Sequence, residues 1–211
     1  MTGAGEREQV NRPGGFALTD RALLLCEFPP GARLLDVGCG SGATVRHVRT
    51  NHGLEAHGVD LDRDLARGRN HLVCASGERL PFQEGAFDGV MLECSLSVMI
   101  DPDQVLQECR RVLARDGRLL ISDVYARGTA ANLKGCLGRV ETLSTMLVRL
   151  QRHGFRVDRC EDCSGHLRAL WGQKLLEKGA AGLCVELGAD RERLKAVNCG
   201  YVLLVARKRG P

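Results

Sequence analysis

Hydrophobic and polar positions alternate between two periods along this chain. Short runs of strand length, Leu34 to Val37, Ala56 to Val59, Leu72 to Cys74, Phe87 to Glu93, Arg118 to Asp123 and Tyr201 to Ala206, are separated by longer segments at helical spacing. The runs carry apolar residues at successive positions, the mark of strands buried on both faces of a parallel sheet. Among the helical segments, Thr19 or Asp20 caps a helix through about Phe28, stopped by Pro29, Pro30 and Gly31. Ala43 to about His52 forms the next, with Val45 and Val48 inward. Arg63 to His71 is short for a crossover helix. Asp101 caps a further helix with Pro102 in its first position, and Val105, Leu106, Cys109, Val112 and Leu113 recur on its sheet-facing side. Asp116 and Gly117 turn the chain into the fifth strand. Gly128 to Gly138 is irregular, Val140 to His153 helical, and Gly154 and Phe155 open a sixth strand through Asp162. His166 to Gly179 reads as an amphipathic helix, and Tyr201 to Ala206 as a last buried strand. Strands alternating with helices predict an α/β fold.

The stretch Leu34 to Gly42, LLDVGCGSG, organises this pattern. Gly38, Gly40 and Gly42 allow a tight turn and close approach of a ligand to the backbone. Gly38, Gly40 and Ala43 match a loose dinucleotide fingerprint. Asp36 argues for a different ligand, because a carboxylate suits positive charge better than it suits a pyrophosphate. Asp60, at the tip of the second strand, lies where it accepts hydrogen bonds from a ribose. The carboxyl end of the fourth strand, Glu93 to Ser95, faces the same crevice.

These residues resemble the class I S-adenosylmethionine-dependent methyltransferases, whose first motif reads acid-x-Gly-x-Gly-x-Gly. Leu80-Pro81-Phe82, Phe87-Asp88 and the block from Glu108 to Asp123 agree with that family in order and spacing. The resemblance extends over about Gly31 to Lys208, and its diagnostic part over Leu34 to Asp123. It implies a Rossmann-like, doubly wound, seven-stranded sheet, mostly parallel, with an antiparallel last strand between the fifth and sixth. It also implies S-adenosyl-L-methionine as cofactor, held by Asp36, Gly38, Gly40, Asp60, Leu61, Ser76, Gly77 and Glu93. Ser76 stands where the family commonly has an acid for the adenine amino group, and Gly77 where it has alanine. A serine accepts that bond without the help of charge. Arg12 is either a partner for the cofactor carboxylate or a solvated residue of the arm.

Bulk properties narrow the rest. At 211 residues and 44% hydrophobic, the chain suits one domain, with 1–30 an N-terminal arm and helix and 126–140 and 163–199 variable segments on the substrate side. The start of Met1 to Gly15 reads as mobile. A net charge of +4 with 4% aromatics offers no stacking platform along a basic stripe, so no nucleic-acid partner is expected. No run is long enough to span a membrane, and the polar start has no apolar signal core. Ten cysteines then imply thiols in a reducing cytoplasm. Cys39 reads as structural. Cys160-x-x-Cys163 is a lone pair, and no metal site is assigned, although Cys136, Cys184 and Cys199 also lie in the variable half.

A sulfonium is already activated, so the reaction requires alignment of a small-molecule nucleophile and exclusion of water. A base is needed only for a protonated acceptor. His166, Asp123, Tyr125 and Glu93 are candidates, and no residue is assigned as catalytic. A nicotinamide-dependent oxidoreductase and a catalytically silent cofactor-binding protein are the alternatives. Acceptor and oligomeric state are not legible.

Overall fold

The computed structural model describes residues 10–66 and 70–210. In chain order the elements are α1 (Gly15–Cys26), β1 (Arg33–Val37), α2 (Ala43–His52), β2 (Glu55–Asp60), α3 (Arg63–Ala66), β3 (Leu72–Cys74), β4 (Phe87–Glu93), a 3₁₀ turn (Leu96–Val98), α4 (Pro102–Val112) and β5 (Leu113–Ala126). There follow the two-residue strands β6 (Ala131–Asn132) and β7 (Arg139–Val140), then α5 (Leu143–Arg152), β8 (Phe155–Asp162), α6 (Ser164–Leu187), α7 (Arg191–Val197) and β9 (Cys199–Lys208).

Seven strands form one sheet in the order β3-β2-β1-β4-β5-β9-β8. The first five pair in parallel, whereas β9 runs antiparallel to both β5 and β8. This is the doubly wound sheet with an antiparallel strand between fifth and sixth. Successive residues of the apolar runs serve opposite faces. Leu34 and Ala56 pack with Leu18 and Leu23 of α1 and Val45 and Val48 of α2. Leu35, Val37 and Val90 pack with Val105, Leu106 and Cys109 of α4 and Leu150 of α5. Order reverses between β1 and β4, so a crevice opens at their carboxyl ends.

Local chemistry fixes several boundaries. The Asp101 carboxylate caps α4 by accepting from Asp103 N and Gln104 N, each at 3.0 Å, and Pro102 occupies the first turn, as the sequence predicts. Helix α1 differs: it starts at Gly15, not at Thr19 or Asp20, and ends at Cys26. Both expected caps have tertiary partners instead, Thr19 on Glu93 and Asp20 on two histidines. Helix α5 begins at Leu143, capped by Thr142, because Arg139 and Val140 pair with Asn132 and Ala131 as a short hairpin. Strand β5 starts before the Asp116 turn, Leu113 already pairing with Phe87 across an irregular register. Helix α6 breaks at Gly179 (φ 68°, ψ 174°), where the predicted helix ends, but resumes to Leu187. Helix α7, capped by Asp190, has no counterpart in the sequence reading. The expected mobility at the start of Met1 to Gly15 concerns residues 1–9, and part of the Arg63 to His71 helix concerns 67–69; both lie outside the described residues.

Candidate active site

The crevice is built around the turn from β1 to α2. Gly38 N and Cys39 N donate to Val59 O at 2.9 and 3.0 Å, which closes the turn onto β2. Gly38 has φ 79°, and a Cβ there would lie 2.6 Å from Ser95 Cβ. Gly40 has φ 52° and faces open space, so its backbone is available for close approach. Gly40 N donates to Asp60 Oδ2 at 2.8 Å, and Asp62 N to Oδ1 at 3.1 Å. These two bonds orient the Asp60 carboxylate at the β2 tip and leave lone pairs on both oxygens. Leu61, next to it, is 63% exposed.

At the other end of the turn the charged groups are buried. Asp36 is 3% exposed. Loss of hydration pushes its carboxyl up to about 8, neighbouring Glu93 adds to the rise, and Arg12 partly offsets it. Glu93 holds Arg12 Nη2 at 2.6 Å, with both side chains below 10% exposed. Thr19 Oγ donates to Glu93 Oε1 at 2.9 Å and accepts from Arg12 Nη2 at 2.5 Å. Thr44 Oγ donates to Glu93 Oε2 at 3.3 Å. Arg12 is therefore a buried ion-pair partner and not a solvated arm residue. Its Nε is buried with no hydrogen-bond partner among the described residues. A free buried donor, a buried acid, and a glycine turn with open space beside it suit a ligand that carries both ends of an amino acid next to a sugar diol.

The third wall is the loop after β3. Ser76 Oγ donates to Glu78 Oε2, and Glu78 Oε1 accepts from Asp101 N at 3.4 Å. Burial would raise the Glu78 carboxyl, but the bonds from Ser76 and backbone amides hold it below its usual range. A carboxylate is thus present beside Ser76, supplied two residues downstream of the position where the family carries it. Gly77 is buried, and a Cβ there would meet Val37 Cγ1 at 3.0 Å. The block beginning at Glu108 holds this loop: Glu108 Oε2 accepts from Leu80 N at 2.8 Å, and Arg111 donates to the carbonyls of Leu80 and Phe82 at 2.9 and 2.7 Å.

The candidate bases are distributed unequally. Glu93 is committed to Arg12 and two threonines. Asp123 accepts from Ser97 N at 2.9 Å and Val124 N at 2.7 Å, and lines a cavity of about 20 Å³ on the α4 and α5 side. Burial pushes it up to about 6 despite those amides, and its role is to hold the turn after β4. Tyr125 accepts from Arg127 Nε at 3.1 Å and packs in the α4 and α5 cluster, away from Asp36. His166 is exposed and lies against Gly14, with Cγ 3.3 Å from the position of a Gly14 Cβ.

Thr19, Thr44 and Glu78 are the residues that sequence reasoning missed. Nothing local marks the threonines. The carboxylate two places beyond Ser76 was a usable signal for Glu78. Cys94, directly after Glu93, has φ 54°, and its Sγ lies 2.9 Å from Tyr201 Oη. Burial pushes its thiol up to about 12, so it stays protonated. None of the ten cysteines is in a disulfide, and burial raises Cys136, Cys160, Cys163 and Cys199 as well.

A methyltransferase-domain family model matches residues 35–121, the span from β1 to β5. The 27-O-demethylrifamycin SV methyltransferase of Amycolatopsis mediterranei is 28% identical, over 90% of this chain and 82% of its own. An O-methyltransferase of Pyrenophora dematioidea is 28% identical over 85% and 76%. Among solved structures, the [4+2]-cyclase SpnF has a TM-score of 0.74 at 26% identity, covering 92% of this chain and 81% of that one. A geranyl diphosphate methyltransferase in complex with SAM has a TM-score of 0.73 at 18% identity, covering 90% and 85%. With this sheet order and crevice, the chain is an S-adenosylmethionine-dependent methyltransferase, an enzyme acting on small-molecule acceptors, and it is similar to the class I members of that group.

Proposed function

We propose that this enzyme methylates a hydroxyl group of a small molecule and that the residues around the β1 turn hold its cofactor. The observation that carries the reading is the joint placement of Asp36, Gly40, Asp60 and the Arg12–Glu93 pair at one switch point. Asp60 receives the ribose, and Leu61 and Gly77 flank the base. Ser76, polarised by Glu78, accepts from the adenine amino group. Gly38 and Gly40 admit the ligand against the backbone, while Asp36, Glu93 and the free Arg12 Nε serve its amino-acid end. S-adenosylmethionine supplies, when bound, a methyl group already activated by the sulfonium.

The chain's own contribution is to orient the acceptor and exclude water. Segments 126–140 and 163–199, within one domain 1–211, form the acceptor side. The β6–β7 hairpin lies directly on the end of α6, where a Cβ on Gly188 would be 1.9 Å from Lys134 O. The relatives that cover most of this chain are O-methyltransferases, which favours an oxygen nucleophile over nitrogen. His166, exposed against Gly14, is the group assigned here to take its proton. The free thiols support a cytoplasmic location, and no helix of the described residues is long and apolar enough to cross a membrane.

The test is transfer of labelled methyl from the cofactor to a panel of phenols, alcohols and amines, read by mass spectrometry. Label on a hydroxyl, strongly reduced in Asp60→Ala, supports the reading. Transfer to amines alone, or turnover without methyl transfer as the SpnF likeness would permit, overturns it. In calorimetry with S-adenosylhomocysteine, Glu78→Gln is expected to weaken binding roughly fivefold to tenfold, the difference between a charge-assisted and a neutral hydrogen-bond relay.

A further inference from the structure

Helices α1 and α2 bring Asp20, His47 and His52 together, with His52 at the end of α2 opposite the glycine turn. Asp20 Oδ1 lies 2.6 Å from His47 Nε2 and 2.7 Å from His52 Nε2, and the three atoms all fall within 4.8 Å of one another. Among the described residues this is the only such grouping of three histidine, cysteine or acidic donors. The methyltransferase chemistry makes no use of it.

We propose that Asp20, His47 and His52 form a divalent transition-metal site, best suited to zinc, that clamps α1 to α2. Two imidazole nitrogens and a carboxylate oxygen are a normal protein donor set for this ion, with a fourth position for water. The hydrogen-bonded arrangement already points both Nε2 atoms at one oxygen, so a cation takes the place of the two hydrogens that converge there. The histidines then carry their proton on Nδ1. His47 is prepared for that tautomer: Asn51 Nδ2 lies 2.8 Å from its Nδ1, and a flip of the Asn51 amide presents its oxygen to an Nδ1–H. The ring is fixed from its other side by Phe16, stacked at 4.1 Å and 2°. Side-chain exposure of 13% at His47, 29% at His52 and 44% at Asp20 gives an anchored interior ligand and an open entrance. Copper and nickel bind the same donors, in keeping with the general affinity order.

The ten thiols are the competing zinc ligands, so the experiment must separate nitrogen from sulfur ligation. Zinc and cobalt(II) are titrated into the 211-residue chain, with stoichiometry followed by competition against a chromophoric chelator and with cobalt spectra recorded. Expected is one ion per chain, cobalt visible bands without a sulfur-to-metal charge-transfer band, and a rise in melting temperature with zinc by binding linkage. His52→Ala and Asp20→Asn, whose folding circular dichroism checks, are each expected to lower affinity by at least about 10-fold to 100-fold and to abolish the thermal shift. Absence of stoichiometric binding overturns the site. So does binding that both variants retain, or a thiolate spectrum, because the ion then sits on cysteine. Cofactor binding is measured separately and does not bear on the result.

Discussion

Asp36→Asn is expected to raise the melting temperature at pH 8 while lowering affinity for S-adenosylhomocysteine by 100-fold or more. A buried carboxyl at about 8, against an ordinary value of 3.8, means that the folded chain keeps a proton that the unfolded chain has already lost. Between about pH 4 and pH 8 the folded state therefore binds more protons. Stability contributed by this group is fully present below pH 4 and declines as pH rises through that window. The amide is neutral throughout and escapes the decline, so its advantage widens from pH 5 to pH 8, with a gain at pH 8 of roughly 3–8 °C for a chain of this size. Melting curves across that range check the slope, and a variant that melts with the same pH dependence as the parent would refute it.

The same carboxyl sets the pH dependence of binding. In the proposed cofactor site an ammonium favours ionised Asp36, so binding at pH 7 is expected to release close to one proton per chain. Affinity should rise up to about tenfold per unit towards pH 8 and then level off. Calorimetry in buffers of different ionisation enthalpy measures the released proton directly.

Arg12→Met is the second large expected effect. Glu93 would stay behind in a site where both side chains are below 10% exposed, held by two threonine hydroxyls but without its counter-charge. Removing one partner of a buried pair destabilises by about 3–5 kcal/mol, which corresponds to a melting temperature lower by roughly 6–15 °C. The double variant Arg12→Met with Glu93→Gln is expected to recover most of that loss, since no unpaired charge remains. It should still not bind the cofactor, because the buried Arg12 donor and the Glu93 acid are both gone. Recovery of stability without recovery of binding separates an electrostatic role from a packing one. If the single variant melts like the parent, the arginine belongs to a solvated arm after all.

How far the site is legible depends on the range of the interactions that make it. Asp36, the glycine turn and Asp60 are local to one β-α-β unit. Turn geometry and strand ends dictate their positions, so spacing along the chain suffices to find them. The block from Glu108 to Asp123 was readable as a pattern, but its purpose was not. Only the packed chain shows Glu108 and Arg111 gripping the Leu80–Phe82 loop that follows Ser76 and Gly77. Glu78 compensates for the serine at position 76 through a side-chain contact that no periodicity records.

By itself the sequence determined the seven strands of the main sheet, the helices between them and the glycine turn, because burial on both faces, proline and glycine act within a few residues. Tertiary structure alone decided where α1 begins, that Arg12 is buried against Glu93 across 81 residues of chain, that Asp123 holds the turn after β4, and that Asp20 meets His47 and His52. Each of these outcomes turns on which of several possible partners a polar side chain finds once hydration is lost. That choice is made by packing between distant elements.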